Sequence, residues 1–278
     1  MSLPHSKVAL ITGASSGIGR ATATALVSAG FVTYATARRT ETLTGLANQG
    51  CHVLHLDVTD EESMVAAVRT VEIKHGAIDV LINNAGYGPL GPLEDMDTRQ
   101  MRQLFETNVF GLVRLSQLVL PGMRARGRGR IINISSMGGE FTTPFGGAYH
   151  ASKYAVEAFS DALRFEVRPF GIEVVVVQPG PVKTRMADSA VKSLRNEPDS
   201  PYAPRLKSFA RVSLESLEKG NGVISAEDVA AVIVKALKSR KPKTRYKVGT
   251  IAHMMPFLRH ILPDRTWDAL LVRMMFST

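Results

Sequence analysis

Residues 7–19 read KVALITGASSGIG: a short apolar run of strand length, then a turn in which Gly13, Gly17 and Gly19 fall within seven positions, then a helical pattern. A strand that enters a helix through so tight a turn leaves the first N–H groups of the helix pointing outward, where they can bind an anion such as a diphosphate. Glycines permit the turn and let a ligand approach the backbone closely. The plain alternative is a glycine turn without a ligand. The strand before it and the helix after it favour the binding turn.

Working outward, strand-length apolar runs recur at 7–11 (KVALI), 32–37 (VTYATA), 52–56 (HVLHL), 79–82 (DVLI), 130–135 (RIINIS), 173–178 (EVVVVQ) and 245–249 (RYKVG), with helical patterns between them. Their apolarity is continuous, not alternating, which implies burial on both faces. The expected fold is therefore α/β, a doubly wound parallel sheet of seven strands with helices on both faces. TDEE (59–62) predicts a capping box, with Thr59 as cap and Glu62 returning the bond. SAED (225–228) predicts a second helix start capped by Ser225. The pattern loosens over about 185–224, which reads as a flap with a short helix, and ends in a Met- and Leu-rich helical tail at about 250–278. Residues 1–278 are expected to form one domain.

Composition narrows the function classes. With 45% hydrophobic and 21% charged residues, the chain has ample core material. A single cysteine, Cys51, excludes an intramolecular disulfide, and the absence of a Cys/His cluster argues against a metal site. A reducing, cytoplasmic setting is expected, because no secretory leader and no bilayer-length apolar run are present. The net charge of +9 lies wholly in residues 181–278, which hold 18 Lys+Arg against 9 Asp+Glu. No nucleic-acid-binding signature accompanies it. Peripheral membrane contact through the tail is a weaker reading than a packed helix beside a solvated basic loop.

The glycine turn, spaced Gly-x-x-x-Gly-x-Gly, together with NNAG (83–86), ISS (134–136), YHASK (149–153) and PG (179–180), resembles the short-chain dehydrogenase/reductase family over roughly residues 7–185. YATARR and TRYKVG are similar to its retinol/17β-hydroxysteroid dehydrogenase branch. The resemblance implies a Rossmann-like sheet of order 3-2-1-4-5-6-7. It also implies a homodimer or homotetramer, formed through the helices that carry Asn108 and Tyr149. It further implies a catalytic set of Asn108, Ser136, Tyr149 and Lys153, with Asn108 holding a relay water for Lys153.

Residue chemistry agrees for part of this set. Tyr149 and Lys153 stand four apart on one helix face, and an ammonium beside a phenol favours the phenolate. The expectation is a lowered Tyr149 pKa and a usable general acid/base. The bland reading is two snorkelling side chains. Ser136, at the end of the fifth strand, would bond the substrate oxygen; Ser135 competes, but the family motif carries the role on the second serine. His150 is expected on the helix surface.

Ala37 stands at the end of the second strand, where an acid would bind a ribose hydroxyl, and Arg38 and Arg39 follow; a guanidinium there suits a 2′-phosphate and hence NADP(H). Two solvated arginines are the alternative. The remaining cofactor contacts implied by the resemblance are Gly13, Ser15, Ser16, Gly17, Ile18, Gly19, Asp57, Val58, Asn83, Ala85, Gly86, Pro179, Gly180, Val182 and Thr184. Asp57 could equally cap the next helix, and Asn84 would stabilise the sheet edge.

Met137, Phe141, Phe145, Pro181 and Met186 are the candidate substrate residues, and their apolarity suits a hydrophobic ketone, aldehyde or alcohol. The expected activity is NADP(H)-dependent interconversion of that carbonyl and its alcohol. A 3-oxoacyl-carrier-protein reductase and a non-catalytic NADPH-binding sensor are the alternatives.

Overall fold

A computed structural model describes residues 7–184, 194, 200–220 and 222–276. Seven strands form one parallel sheet: β1 (Val8–Ile11), β2 (Val32–Ala37), β3 (His52–His55), β4 (Val80–Asn83), β5 (Gly129–Ile134), β6 (Ile172–Pro179) and β7 (Arg245–Val248). Their order is β3-β2-β1-β4-β5-β6-β7, as expected. The order reverses between β1 and β4, which pair Ala9 with Val80 and Ile11 with Ile82. Such a switch point opens a crevice beyond the strand C-termini, where ligands of doubly wound sheets bind.

The helices cover both faces. They are α1 (Gly17–Ser28), the single turn α2 (Thr44–Ala47), α3 (Glu61–His75), α4 (Thr98–Phe105), α5 (Gly111–Ala125), α6 (Gly147–Val167), α7 (Ala203–Lys219), α8 (Ala226–Lys238), α9 (Thr250–Ile261) and α10 (Asp264–Phe276). Alternate residues of each central strand feed opposite cores. Ile11, Ile82 and Ile132 pack under α1 and α8, whereas Leu10, Leu81 and Ile131 pack under α3 and α5. These six side chains are fully buried, and each contributes about 1.5–3 kcal/mol. A third cluster, Phe141, Met255, Trp267 and Leu271, joins the tail helices to the loop after β5.

Two local expectations change. Asp60, not Thr59, caps α3, accepting from Glu62 N at 3.0 Å and Ser63 N at 3.4 Å. The Thr59 hydroxyl turns back to Asp57 Oδ1 at 2.8 Å instead. Between α4 and α5 the helix carries a five-residue π turn, Glu106–Phe110, with Asn108 buried at its centre. The start at Ser225 is as expected, a reciprocal capping box with Asp228. Among the described residues, no helix is long and apolar enough to cross a membrane.

Candidate active site

The glycine turn is built from backbone bonds. Gly13 and Gly17 have φ of +68° and +52°, which L side chains rarely adopt. Thr12 Oγ1 accepts from the N–H groups of Asn84 (3.0 Å) and Ala85 (2.9 Å), and Asn84 Nδ2 donates to Thr12 O (2.9 Å) and Gly13 O (3.2 Å). A Cβ on Gly19 would overlap Gly13 O and lie 2.5 Å from Asn84 Nδ2; on Gly13 it would lie 2.9 Å from Ala85 Cα. The turn and the NNAG segment therefore form one rigid unit. Ser16 precedes α1 without a side-chain cap bond, so the first N–H groups of the helix face the cleft. From this end a groove of about 600 Å³ runs between α1 and α8, with Ser15, Ser16, Gly17 and Thr184 at the turn and Ala21, Ala25, Ala226 and Ala230 along the two helices. Ile18 instead packs against the core.

Several expected cofactor residues turn out to be structural in their side chains. Asn83 is buried, and its Nδ2 donates to Ser116 Oγ (3.1 Å) and Asn133 Oδ1 (2.9 Å), which commits its amide hydrogens within the sheet. Val58 is buried beneath the start of α5. Asp57 Oδ1 accepts from Thr59 N (2.9 Å) as well as from its hydroxyl, so it closes the turn before α3 while Asp60, not Asp57, caps the helix. Arg38 and Arg39 are exposed just past β2. Gly86 lies where a Cβ would come 3.0 Å from Asn108 Oδ1.

The four expected catalytic residues converge at the end of β5. Ser136 caps a short turn, Met137–Gly139, its Oγ accepting from Gly138 N at 3.1 Å. The hydroxyl also lies beside Tyr149, where it favours the phenolate. The Lys153 ammonium lies 5.8 Å from the Tyr149 ring centre and donates to Ile134 O at 2.8 Å. Asn108 Nδ2 donates to Ser152 Oγ (3.0 Å) and to Tyr87 O (2.9 Å), and Ser152 Oγ donates to Tyr149 O (2.7 Å). Asn108 and the Tyr149 helix are thus tied together through Ser152.

The electrostatics differ from expectation. Burial raises the Tyr149 pKa, with the Ser136 hydrogen bond opposing it, so the phenol is not activated by the chain alone. Burial pushes Lys153 down to about 8, with Glu157 holding it up. The desolvation that hinders the phenolate also hinders the ammonium meant to favour it.

A model of the short chain dehydrogenase family matches residues 7–195. The chain belongs to the short-chain dehydrogenase family. It is 40% identical over 251 residues to a 3-ketodihydrosphingosine reductase of Bacteroides thetaiotaomicron, covering 90% of each chain. It is 33% identical to an NADPH-dependent 3-dehydrocapnine reductase of Ornithobacterium rhinotracheale, covering 94% of this chain and 95% of that one. A short-chain dehydrogenase structure from Streptomyces avermitilis superposes with a TM-score of 0.82 at 36% identity, covering 98% and 96%. Solved relatives hold NADP in some cases and NAD in others, so the family binds a nicotinamide cofactor. These matches establish the family, not the retinol/17β-hydroxysteroid branch.

In this short-chain dehydrogenase the substrate side departs furthest from expectation. Phe141 is 1% exposed and sits edge-on to Trp267 at 5.4 Å, so it supports the tail and does not line an open pocket. Met137 packs against the same cluster. Phe145 has φ of +62° and contacts Phe209 of α7 (5.4 Å) and Phe276 of α10 (6.0 Å), which joins flap helix, tail and catalytic loop. Pro181 O accepts from Ile224 N (2.9 Å), and Val182 bridges Ile224. Gly180 N donates to Val248 O (2.9 Å), just past Pro179 at the end of β6. Met186 lies outside the described residues.

His150 is buried, not on the helix surface. Gly88 was missed: a Cβ there would sit 2.8 Å from Tyr149 Cδ2, so the ring lies across this glycine. The repeated glycine of NNAGYG (83–88) was the available signal. Among the described residues no group of acidic, His or Cys side chains could hold a metal.

Proposed function

We propose that this short-chain dehydrogenase is an NADP(H)-dependent reductase of a hydrophobic ketone, with Tyr149 as the general acid. The observation that carries the reading is the meeting of Ser136, Tyr149, Lys153 and Asn108 at the end of β5, beside the glycine turn. The cradle fits a dinucleotide: the first turn of α1 is uncapped, and side chains at Gly13 and Gly19 would fill the space the turn needs. Gly13 to Gly19, Gly86 and Thr184 would hold the diphosphate and nicotinamide ends. When bound, the nicotinamide supplies the hydride.

The chain's own residues handle the proton. A buried phenol with a raised pKa stays protonated at neutral pH, which is the donor form that carbonyl reduction needs. Ser136 donates to the substrate oxygen and orients it; Tyr149 passes its proton to that oxygen as negative charge builds there. Lys153, anchored on Ile134 O, offers a positive charge beside the phenol as it ionises. Asn108, held by Tyr87 and Ser152, would position the water that replenishes the proton.

Supporting NADP(H) are Ala37, which brings no carboxylate to the ribose, and the exposed Arg38 and Arg39. The apolar roof of Met137, Phe145 and the tail supports a long-chain carbonyl, as do the relatives named 3-ketodihydrosphingosine reductase and NADPH-dependent 3-dehydrocapnine reductase. In this reading the chain is one catalytic unit, its flap and tail forming the substrate side, and no metal takes part.

The test is turnover of purified protein with NADPH or NADH against long-chain 3-oxo amines, steroid ketones and acyl thioesters. NADPH-dependent reduction of the long-chain 3-oxo compounds is expected. Tighter NADH binding would overturn the cofactor assignment, preference for acyl thioesters would favour 3-oxoacyl-carrier-protein reduction, and no turnover with intact NADPH binding would favour a sensor.

A further inference from the structure

We propose that His150 is a positioning residue that sets the Ser136 hydroxyl through the Gly138 peptide groups; this rests on the reading of Ser136 as donor to the substrate oxygen. The imidazole is 7% exposed, with Nδ1 2.9 Å from Gly138 O and Nε2 3.0 Å from Thr143 Oγ1. A carbonyl only accepts, so Nδ1 carries the hydrogen, and in the neutral ring Nε2 accepts from the Thr143 hydroxyl. Burial lowers the His150 pKa, which favours that neutral form.

Gly138 then passes the constraint on. Its carbonyl is held by His150, and its N–H donates to Ser136 Oγ at 3.1 Å. With its oxygen already accepting, Ser136 has its O–H left to give, toward Tyr149 and the substrate oxygen. The ring's seat is shaped by two glycines. A Cβ on Gly138 would overlap Nδ1, and one on Gly146 would lie 2.5 Å from Cδ2. The imidazole also meets the Tyr149 ring at 5.6 Å and the Phe141 ring at 6.3 Å. One side chain thus braces the two residues that face the substrate oxygen. The Asn108, Ser152 and Lys153 bonds run through other atoms, so the two constraints are separable.

The experiment compares His150→Phe, His150→Asn and His150→Gln. The asparagine amide can reach Gly138 O from the Nδ1 position; the glutamine amide reaches the Nε2 position and leaves Gly138 unheld. His150→Phe is expected to lower kcat about 10- to 100-fold, the scale of a slightly misplaced catalytic group, without changing the NADPH dissociation constant or KM. His150→Asn restores most of the rate, which a merely space-filling role would not produce. His150→Gln behaves like the Phe variant and replaces it if that variant fails to fold. Amide hydrogen exchange at Gly138 and Gly139 provides a readout that needs no turnover: faster in Phe and Gln, slow in wild type and Asn. Wild-type kcat in the Phe or Gln variant, or equal losses in Asn and Gln, would overturn the proposal. If the wild-type chain reduces no carbonyl, the functional reading fails separately, while exchange still reports on the His150–Gly138 bond.

Discussion

The two walls of the cleft are made by different physics. The cofactor wall, from Thr12 to Gly19 and Asn84 to Gly88 together with Asn108, Ser136, Tyr149 and Lys153 beside them, is held by hydrogen bonds to backbone groups and by glycines whose missing side chains leave room for other groups. The roof, α7, α9 and α10 over Phe141 and Phe145, is held by apolar and aromatic packing. Backbone bonds and close approaches tolerate no added Cβ, whereas a packed apolar layer accepts swaps of similar volume at a cost of about 1 kcal/mol. The chemistry therefore sits on the unforgiving wall. The roof is the layer that can be repacked without disturbing it.

The largest effect should come from the rigid wall. Tyr149→Phe removes one hydroxyl and is expected to lower kcat by about 10²–10⁴-fold, the usual contribution of a general acid, without change in NADPH affinity measured by fluorescence titration. A variant retaining most of its rate would dissolve the difference between the two walls, since Tyr149 would then be packing like the roof. The roof is tested by Trp267→Ala. Trp267 is 4% exposed and fills the space between Phe141 and the tail helices. Its loss should destabilise the fold by about 3–5 kcal/mol in denaturant unfolding and raise KM for apolar ketones, again with NADPH affinity intact. Weakened cofactor binding in this variant would mean that the walls are coupled.

The same division explains what could be read from the chain. All seven strands were legible to within one residue at every end, because buried parallel strands are short apolar runs between turn residues, and that signal is local. The glycine turn was legible for the same reason. Phe141 was not: its apolarity suited the pocket, but its burial depends on Trp267, more than a hundred residues later. His150 shares a helix with Tyr149, yet its partners are Gly138 O and Thr143 Oγ1, which only the folded loop brings to it. The π turn at Asn108 leaves no periodic mark, since a single inserted residue shifts the helix face without changing its composition. At α3 the rule was sound but one residue out, because Asp57 draws the Thr59 hydroxyl away and leaves Asp60 to cap.

The smallest predicted effect bears on a residue where function and stability pull apart. Lys153 is 7% exposed, and its pKa is held at about 8, below its ordinary 10.5. Between those values the unfolded chain binds a proton that the folded chain does not, so the lysine's unfavourable contribution is full below pH 8 and is relieved as pH rises toward 10.5. A shift of that size is roughly 3 kcal/mol at neutral pH. Lys153→Met removes it but leaves Ile134 O without its donor, which returns about 1–3 kcal/mol. The net expectation is an apoprotein slightly more stable at pH 7, with the advantage fading toward pH 10, and no reductase activity at either. Thermal midpoints across that range decide the matter. A Met variant that melts lower at pH 7, or a difference indifferent to pH, would show that the ammonium is well solvated in the fold and that the cofactor wall does not store the electrostatic strain assigned to it.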